Sequence, residues 1–583
     1  MGIEPNKLDG VQSFTGGMNQ SLPPSFLDKD KSYKNINVSI KNGKISPRPK
    51  FIEVQFDLGD YAQISPALGS LYHSHNVLSG RIQHAGRFKT SLGEVIIFII
   101  NGVIYAASLA TRTIKPLINK SQPRFANYLT PRLYGNQAYN YYVIYDWPNQ
   151  PIIIDNNLVV RRASIQNVEI PRSYLGAFVH NRLFVANKGV EFGASDPVSP
   201  SNPNSPLTFL DSIVTVSNPS PAFPEQFFSL SYIERLSSIT AMGYFEKSST
   251  SIGYGPLFVS TKEAIYAFNV NVPRTEWEKS VFGSVLVQGI GIVGPKAFTV
   301  VGGDIWYRAA NGLVYSISTV ASDQQRWGVS NISREIEESL YTKNKELLRY
   351  SALEYVDNTI ITHLRPYVTK ALNIMGVPIE DYVFNGLGVV ELNTISGLGG
   401  GSNPIWASLY SLPTTDIIKT DDGMFFVGKS KHDDNVNCFY LMDKDENKDY
   451  YGQAKFPVHS RIYTREFDMQ APLQEKRITH VNLDIRNITG KFEASIYAKH
   501  KDEWEFLGEI SVNNVDSIQD ELIAITTPIT LKTTILRIDL IGEYYEFNRA
   551  FIVGEVHTEL QLKREFDEIT CITEEEYVGD MNL

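Results

Sequence analysis

Gly423-Met424-Phe425-Phe426-Val427-Gly428-Lys429-Ser430 fits the G-x4-G-K-S spacing of a phosphate-binding loop. That chemistry needs a pliable loop after a buried strand, with backbone N–H groups facing phosphate and a helix opening at the lysine. Here the spacer is four bulky apolar residues, and Asp421-Asp422 stands where the buried strand should be. The downstream run Lys431-His432-Asp433-Asp434-Asn435 is turn-like, so the segment reads as a strand leading into a loop. Gly289-Ile290-Gly291-Ile292-Val293-Gly294 fits G-x-G-x-x-G, but Pro295 and the strand-like Ala297–Val301 follow in place of the helix that a dinucleotide site requires. It reads as a tight connection between strands.

Asp443-Lys444-Asp445-Glu446-Asn447-Lys448-Asp449 carries oxygen ligands at alternate positions, as a calcium loop begins. Lys448 occupies the place of the turn glycine, and Ala454 the place of the bidentate glutamate. The alternative is a solvated acidic hairpin tip. His73 and His75 are close in sequence but lack further ligands, and paired acids such as Asp433-Asp434 are ordinary in loops. Neither a G-x-S-x-G element nor an H-E-x-x-H helix occurs. No catalytic, cofactor-binding or metal-binding residue is therefore assigned, no cofactor is expected, and the chain is expected not to be an enzyme.

The elements between these segments are short strands. The chain has 583 residues, too many for one ordinary core, which predicts two or three domains. Hydrophobic residues make up 43% and charged residues 20%, a balance that argues for a folded protein. The 31 Tyr and 30 Phe favour strands, and Gly and Pro are spread along the whole length as turn residues. The net charge of −10 argues against a tight grip on nucleic acid, yet it is compatible with a channel through which DNA slides. Two distant cysteines, Cys438 and Cys571, argue against a disulfide framework and exclude a cysteine-based structural zinc site. Met1 to Asp30 lacks the apolar core of a signal peptide. Val95–Ala107 is the most apolar stretch, but Asn101-Gly102 divides it into a hairpin too short to span a bilayer.

Residues 1–50 read as an extended arm containing a small hairpin around Asn42-Gly43. Residues 51–455 read as evenly punctuated short strands, including Glu94–Ile100 with Val103–Ala107, Tyr141–Tyr145, Arg182–Ala186, Leu257–Ser260 with Ala264–Phe268, and Leu313–Ile317. That length suits a β-propeller of about six to eight blades. The best helix candidate is Ser333–Tyr341, with Ser333 placed to cap it. From 456 to 583 the chain reads as a β-sandwich with an acidic tail. Thr479 to Ile485 alternates so that Val481, Leu483 and Ile485 share a face.

Four stretches, in order along the chain, resemble the nozzle, hub and packaged-DNA stabilisation proteins of short-tailed bacteriophages. They are Phe14-Thr15-Gly16-Gly17-Met18-Asn19 with Asn37–Pro49; Asn181–Ala186 leading to Ala194-Ser195-Asp196-Pro197; Leu257–Phe268 with Gly289-Ile290-Gly291 and Asn311-Gly312-Leu313; and Tyr463-Thr464-Arg465-Glu466-Phe467. The resemblance implies a mainly β fold, namely a propeller body with an N-terminal arm and a C-terminal sandwich. It implies a structural virion protein of the tail, made in the host cytoplasm and assembled into a ring, commonly of six copies, beneath a portal–adaptor complex. Its lumen would conduct and retain genomic DNA through transient, non-specific contact. The alternative is a tail-associated propeller that binds or cleaves glycans.

Overall fold

The computed structural model describes residues 3–57, 78–117, 125–187, 189, 191–199, 201–210, 227–229, 238–244, 257–268, 270, 284–324, 330–373, 376–392, 404–430, 436–443, 448–451, 454–500, 503–514, 521–525 and 529–557. The chain is mainly β, as expected.

Seven small antiparallel sheets follow one another in sequence. The first is Ile82–Thr90, Gly93–Ile100, Val103–Ser108 and Thr113–Pro116; the second is Tyr134–Ala138, Tyr141–Tyr145, Ile152–Ile154 and Val160–Arg162. The third is Leu175–Val179, Arg182–Ala186, Glu191–Ala194 and Phe227–Ser229, and the fourth Ile239–Tyr244, Leu257–Thr261, Ala264–Phe268 and Ser284–Gln288. The fifth has three strands, Phe298–Val301, Asp304–Arg308 and Val314–Ser316. Leu353–Val356, Thr359–His363, Leu387–Glu391 and Ile405–Tyr410 form the sixth, at one end of a larger sheet. The seventh is Thr414–Thr420, Gly423–Lys429 and Asn437–Asp443, completed by Lys50–Glu53 from the other end of the chain.

The continuous apolar runs have a simple cause. Each sheet is packed on both faces, so both sides of its middle strands are buried. In Gly93–Ile100, Ile96, Phe98 and Ile100 pack with Ile418, Phe425, Val427 and Phe439 of the seventh sheet. Val95, Ile97 and Ile99 face the other way, onto Tyr142, Ile144, Ile152 and Ile154 of the second. The same two-sided burial continues from sheet to sheet. Val143 and Tyr145 meet Leu183 and Val185, Phe184 meets Val259, and Phe258 meets Ile305 and Tyr307. Trp306 then meets Leu353 and Trp406, and Val389 meets Ile417 and Phe426. Seven clusters between seven sheets close a ring, with the first strand of each sheet toward the inside. Each fully buried Val, Leu, Ile or Phe contributes on the order of 1.5–3 kcal/mol.

Turn chemistry sets the hairpins. Asn42-Gly43 and Asn101-Gly102 both take the left-handed pair of φ values, 51° and 75°, then 50° and 85°, that a two-residue hairpin turn demands. His180-Asn181 and Asp357-Asn358 do the same without glycine.

A second β unit is built on two long strands, Lys476–His500 and Thr534–His557, paired from Lys476↔Val556 to Ala498↔Leu536. Register shifts around Asn487 and Gly490 bend the ribbon, with φ values of 51° and 71°. The turn-like run Asn487–Gly490 is thus a bend inside one strand rather than a break between two. Val481, Leu483 and Ile485 are buried on one face, as their alternation predicts.

The N-terminal segment differs from the expected arm. Ile3–Val11 pairs antiparallel with the end of Thr534–His557, and Val11, Phe14, Val38, Ile40 and Ile45 lie in the core of the second unit. Lys34–Ile36 lies between Ile405–Tyr410 of the ring and Val458–Phe467 of the second unit, merging both into one sheet. Lys50–Glu53 continues into the ring, so position 51 falls inside a strand. The segment has little periodicity because its partners are scattered along the whole chain.

One strand expectation and one helix expectation also change. Leu313–Ile317 divides into the strand Val314–Ser316 and the helix Ile317–Gln324. Ser333–Tyr341 is helical only as Arg334–Ile336 and Glu337–Leu340. The Ser333 hydroxyl does not cap it; it accepts the Val314 N–H at 2.9 Å, tying the turn to the fifth sheet. Among the described residues no helix is long and apolar enough to cross a membrane.

Candidate functional site

The two nucleotide-type motifs are built into the sheets. Gly423–Lys429 is a strand in the seventh sheet, and the Lys429 ammonium pairs with the fully buried Asp381 at 2.8 Å. In the G-x-G-x-x-G run, a Cβ on Gly291 would lie 1.9 Å from the Thr261 carbonyl oxygen, and one on Gly294 2.0 Å from that of Arg349. Those glycines permit close backbone packing. In the acidic loop, residues 444–447 lie outside the described residues, Lys448 pairs with Glu543 at 2.7 Å, and Asp449 is directed to Arg48. Asp449 is thus drawn away from any calcium ligand set. His73, His75, Asp433, Asp434 and the acidic end from Glu574 also lie outside the described residues. Among the described residues no cluster of three metal-ligating side chains occurs.

Two places concentrate polar groups. The first is the joint between ring and second unit. Arg48 donates to both Asp449 carboxylate oxygens at 2.9 and 2.7 Å and to Asn37 Oδ1 at 3.2 Å. Asn37, at φ 58°, donates to Ser411 Oγ and the His459 carbonyl, and its Oδ1 also accepts the Ser411 N–H. Burial alone would raise the Asp449 pKa, but the adjoining guanidinium and the Phe51 N–H hold it below the usual carboxylate range. Gly17, at φ 68°, lets Met18 approach and donate its N–H to the Trp406 carbonyl at 2.9 Å.

The second place is one end of the ring's interior. The segments that lead into the first strands of the second, third, fifth and sixth sheets converge there around a cavity of about 480 Å³. Its wall includes Arg132, Tyr134, Tyr145, Trp147, Tyr174 and Arg349. A neighbouring cavity of about 250 Å³ shares Tyr174, Pro295 and Arg349 and adds Ser238, Thr240 and Lys262. Neither lining contains a carboxylate. Arg132 donates to the carbonyls of Ile82 and Tyr382, while its buried Nε has no hydrogen-bond partner. Arg349 lies over the Tyr350 ring at 4.7 Å and donates to its hydroxyl.

From the segment lining both cavities, Lys296 crosses to other sheets. Its ammonium donates to both Asp416 oxygens at 2.8 and 2.7 Å and to the Ala85 carbonyl at 2.5 Å, linking the fifth, seventh and first sheets. Glu354, on the first strand of the sixth sheet, is pushed up to about 7 by burial, with Lys296 and Lys419 opposing and Asp416 adding to the shift. Sequence reading did not find these groups, because they come from separate sheets. One signal was available: Pro131-Arg132-Leu133-Tyr134 and Pro171-Arg172-Ser173-Tyr174 repeat the same spacing one sheet apart.

No family model matches the chain, and no curated protein matches it. A chain of the mitotic checkpoint complex is 10% identical, with 63% of this chain and 93% of that one covered, at a TM-score of 0.33. BamB from Moraxella catarrhalis is 10% identical over 64% of this chain and 84% of its own, at 0.30. An exo-β-1,3-galactanase from Phanerochaete chrysosporium is 9% identical over 87% and 100%, at 0.23. Scores and identities this low bear on no activity.

Proposed function

We propose that this protein is a non-enzymatic structural subunit of a short bacteriophage tail, whose copies form a ring that conducts and retains genomic DNA beneath a portal–adaptor complex. In this reading the seven-sheet ring is a seven-bladed propeller, closed by Lys50–Glu53, and the second unit is the sandwich-like partner of the propeller. The observation that carries the reading is the position of the residues on which the resemblance rests. Gly17, Met18, Asn37 and Arg48 are the joint between the two units. Tyr463–Phe467 belongs to the strand that receives Lys34–Ile36. Such residues hold two units in one orientation, which suits a part that must keep its shape while DNA passes. A ring of wedge-shaped copies would be a heterologous, closing assembly.

Protein mass spectrometry of purified phage particles tests this, together with native mass measurement of the protein alone and mixed with portal–adaptor rings. The reading expects the protein in the particle and a closed ring on its own or on the partner. Absence from particles, with failure to join any such ring, overturns it.

A further inference from the structure

The cavity at the ring's interior end is assigned no role by the tail reading, and its chemistry is specific. We propose that it is a binding site for a short carboxylated saccharide, independent of where the protein resides. Three features point to that class. The main cavity, about 480 Å³, has the size of a small-molecule site. Its lining includes Tyr134, Tyr174 and Trp147, side chains of the kind that pack on the apolar C–H face of a sugar, and Ser238 and Thr240 add hydroxyls next door. Arg349 and Arg132 bring positive charge to the wall, that of Arg132 offset by Asp381 at 3.9 Å, in a chain whose net charge is −10.

The charge favours a carboxylate over a phosphate. Arg349 is exposed at the cavity, whereas Arg132 braces the Ile82 and Tyr382 carbonyls and lies 3.9 Å from the fully buried Asp381. A guanidinium matches a planar carboxylate. Phosphate sites draw on helix N-termini. Here the short helical turn Lys345–Tyr350 reaches the cavity with its C-terminal residues, Arg349 and Tyr350, so its dipole does not assist a phosphate. Lys262 at the side is paired with Glu346 at 3.6 Å, which moderates the positive charge there.

Calorimetric titration with trimers of galacturonate, a hyaluronan tetrasaccharide and a sialylated trisaccharide, each beside its neutral counterpart, tests the proposal. A thymidine trinucleotide provides the nucleic-acid arm. Arg349→Gln and Tyr174→Ala are the informative variants. Arg349 is exposed, and Arg132 is left intact because it also braces Ile82 and Tyr382. At least one acidic saccharide should bind about tenfold or more tighter than its neutral form. Arg349→Gln should erase most of that difference, and added salt should weaken binding. Failure of all three acidic ligands, equal binding of neutral forms, indifference to both variants, or tighter binding of the trinucleotide would each overturn it.

Discussion

Replacing Arg48 by Met should destabilise the protein severely, although the residue lines neither of the two cavities described above. Its side chain is 4% exposed and that of Asp449 6%. Arg48 makes two hydrogen bonds to Asp449, one to Asn37 and one to the Pro49 carbonyl, and lies 4.0 Å over the Phe51 ring. Without it, Asp449 would remain a buried carboxylate supported by the Phe51 N–H and the Tyr451 hydroxyl. Removing one partner of a buried pair costs about 3–5 kcal/mol. The double variant R48M/D449L removes both charges and should lose much less than the sum of the single changes, a coupling of about 2–3 kcal/mol. The pH dependence follows from the lowered Asp449 pKa. The pair's contribution is fully present above the unfolded carboxylate value of about 3.9 and is lost as pH falls through the lower folded value. Urea unfolding followed at several pH values, with each unit's transition monitored, measures all of this. Single losses below about 1 kcal/mol, or strict additivity, would refute the reasoning.

Other outcomes follow from the same geometry. Phe14→Ala should cost about 3–5 kcal/mol, because the ring is fully buried against Phe547 at 5.3 Å; a dispensable arm would show almost none of this in thermal unfolding. Gly17→Ala should destabilise by more than about 1 kcal/mol, since φ is 68° and the new Cβ would lie 2.7 Å from the Trp406 carbonyl oxygen. Glu354→Gln should raise stability above pH 7 and change it little near pH 4. The folded carboxyl titrates at about 7 and its unfolded form near 4.3, so the native acid's burial penalty grows as pH rises through that interval. A melting temperature for Glu354→Gln that rises equally at both pH values would contradict that account.

Local chemistry made much of the β architecture legible. Asn42-Gly43 and Asn101-Gly102 signal their hairpins because few residue pairs accept two consecutive positive φ values. The phosphate-loop match fails on its apolar spacer, and Met424, Phe425, Phe426 and Val427 are indeed core residues of a strand. Asn487–Gly490 shows the limit of such local signals, since turn residues also serve bulges, and only cross-strand pairing distinguishes a bend from a break.

Amino-acid order alone therefore determined the strand-rich class, the main hairpins and the face on which Val481, Leu483 and Ile485 are buried. These depend on neighbours within a few residues. Tertiary structure decided what residues 3–53 do, because their partners, from Trp406 and Asp449 to Phe547, lie hundreds of positions away. It also decided the cavity. Arg132, Tyr174 and Arg349 belong to three different sheets' approaches, and only closure of the ring brings their charge and aromatic faces to one wall.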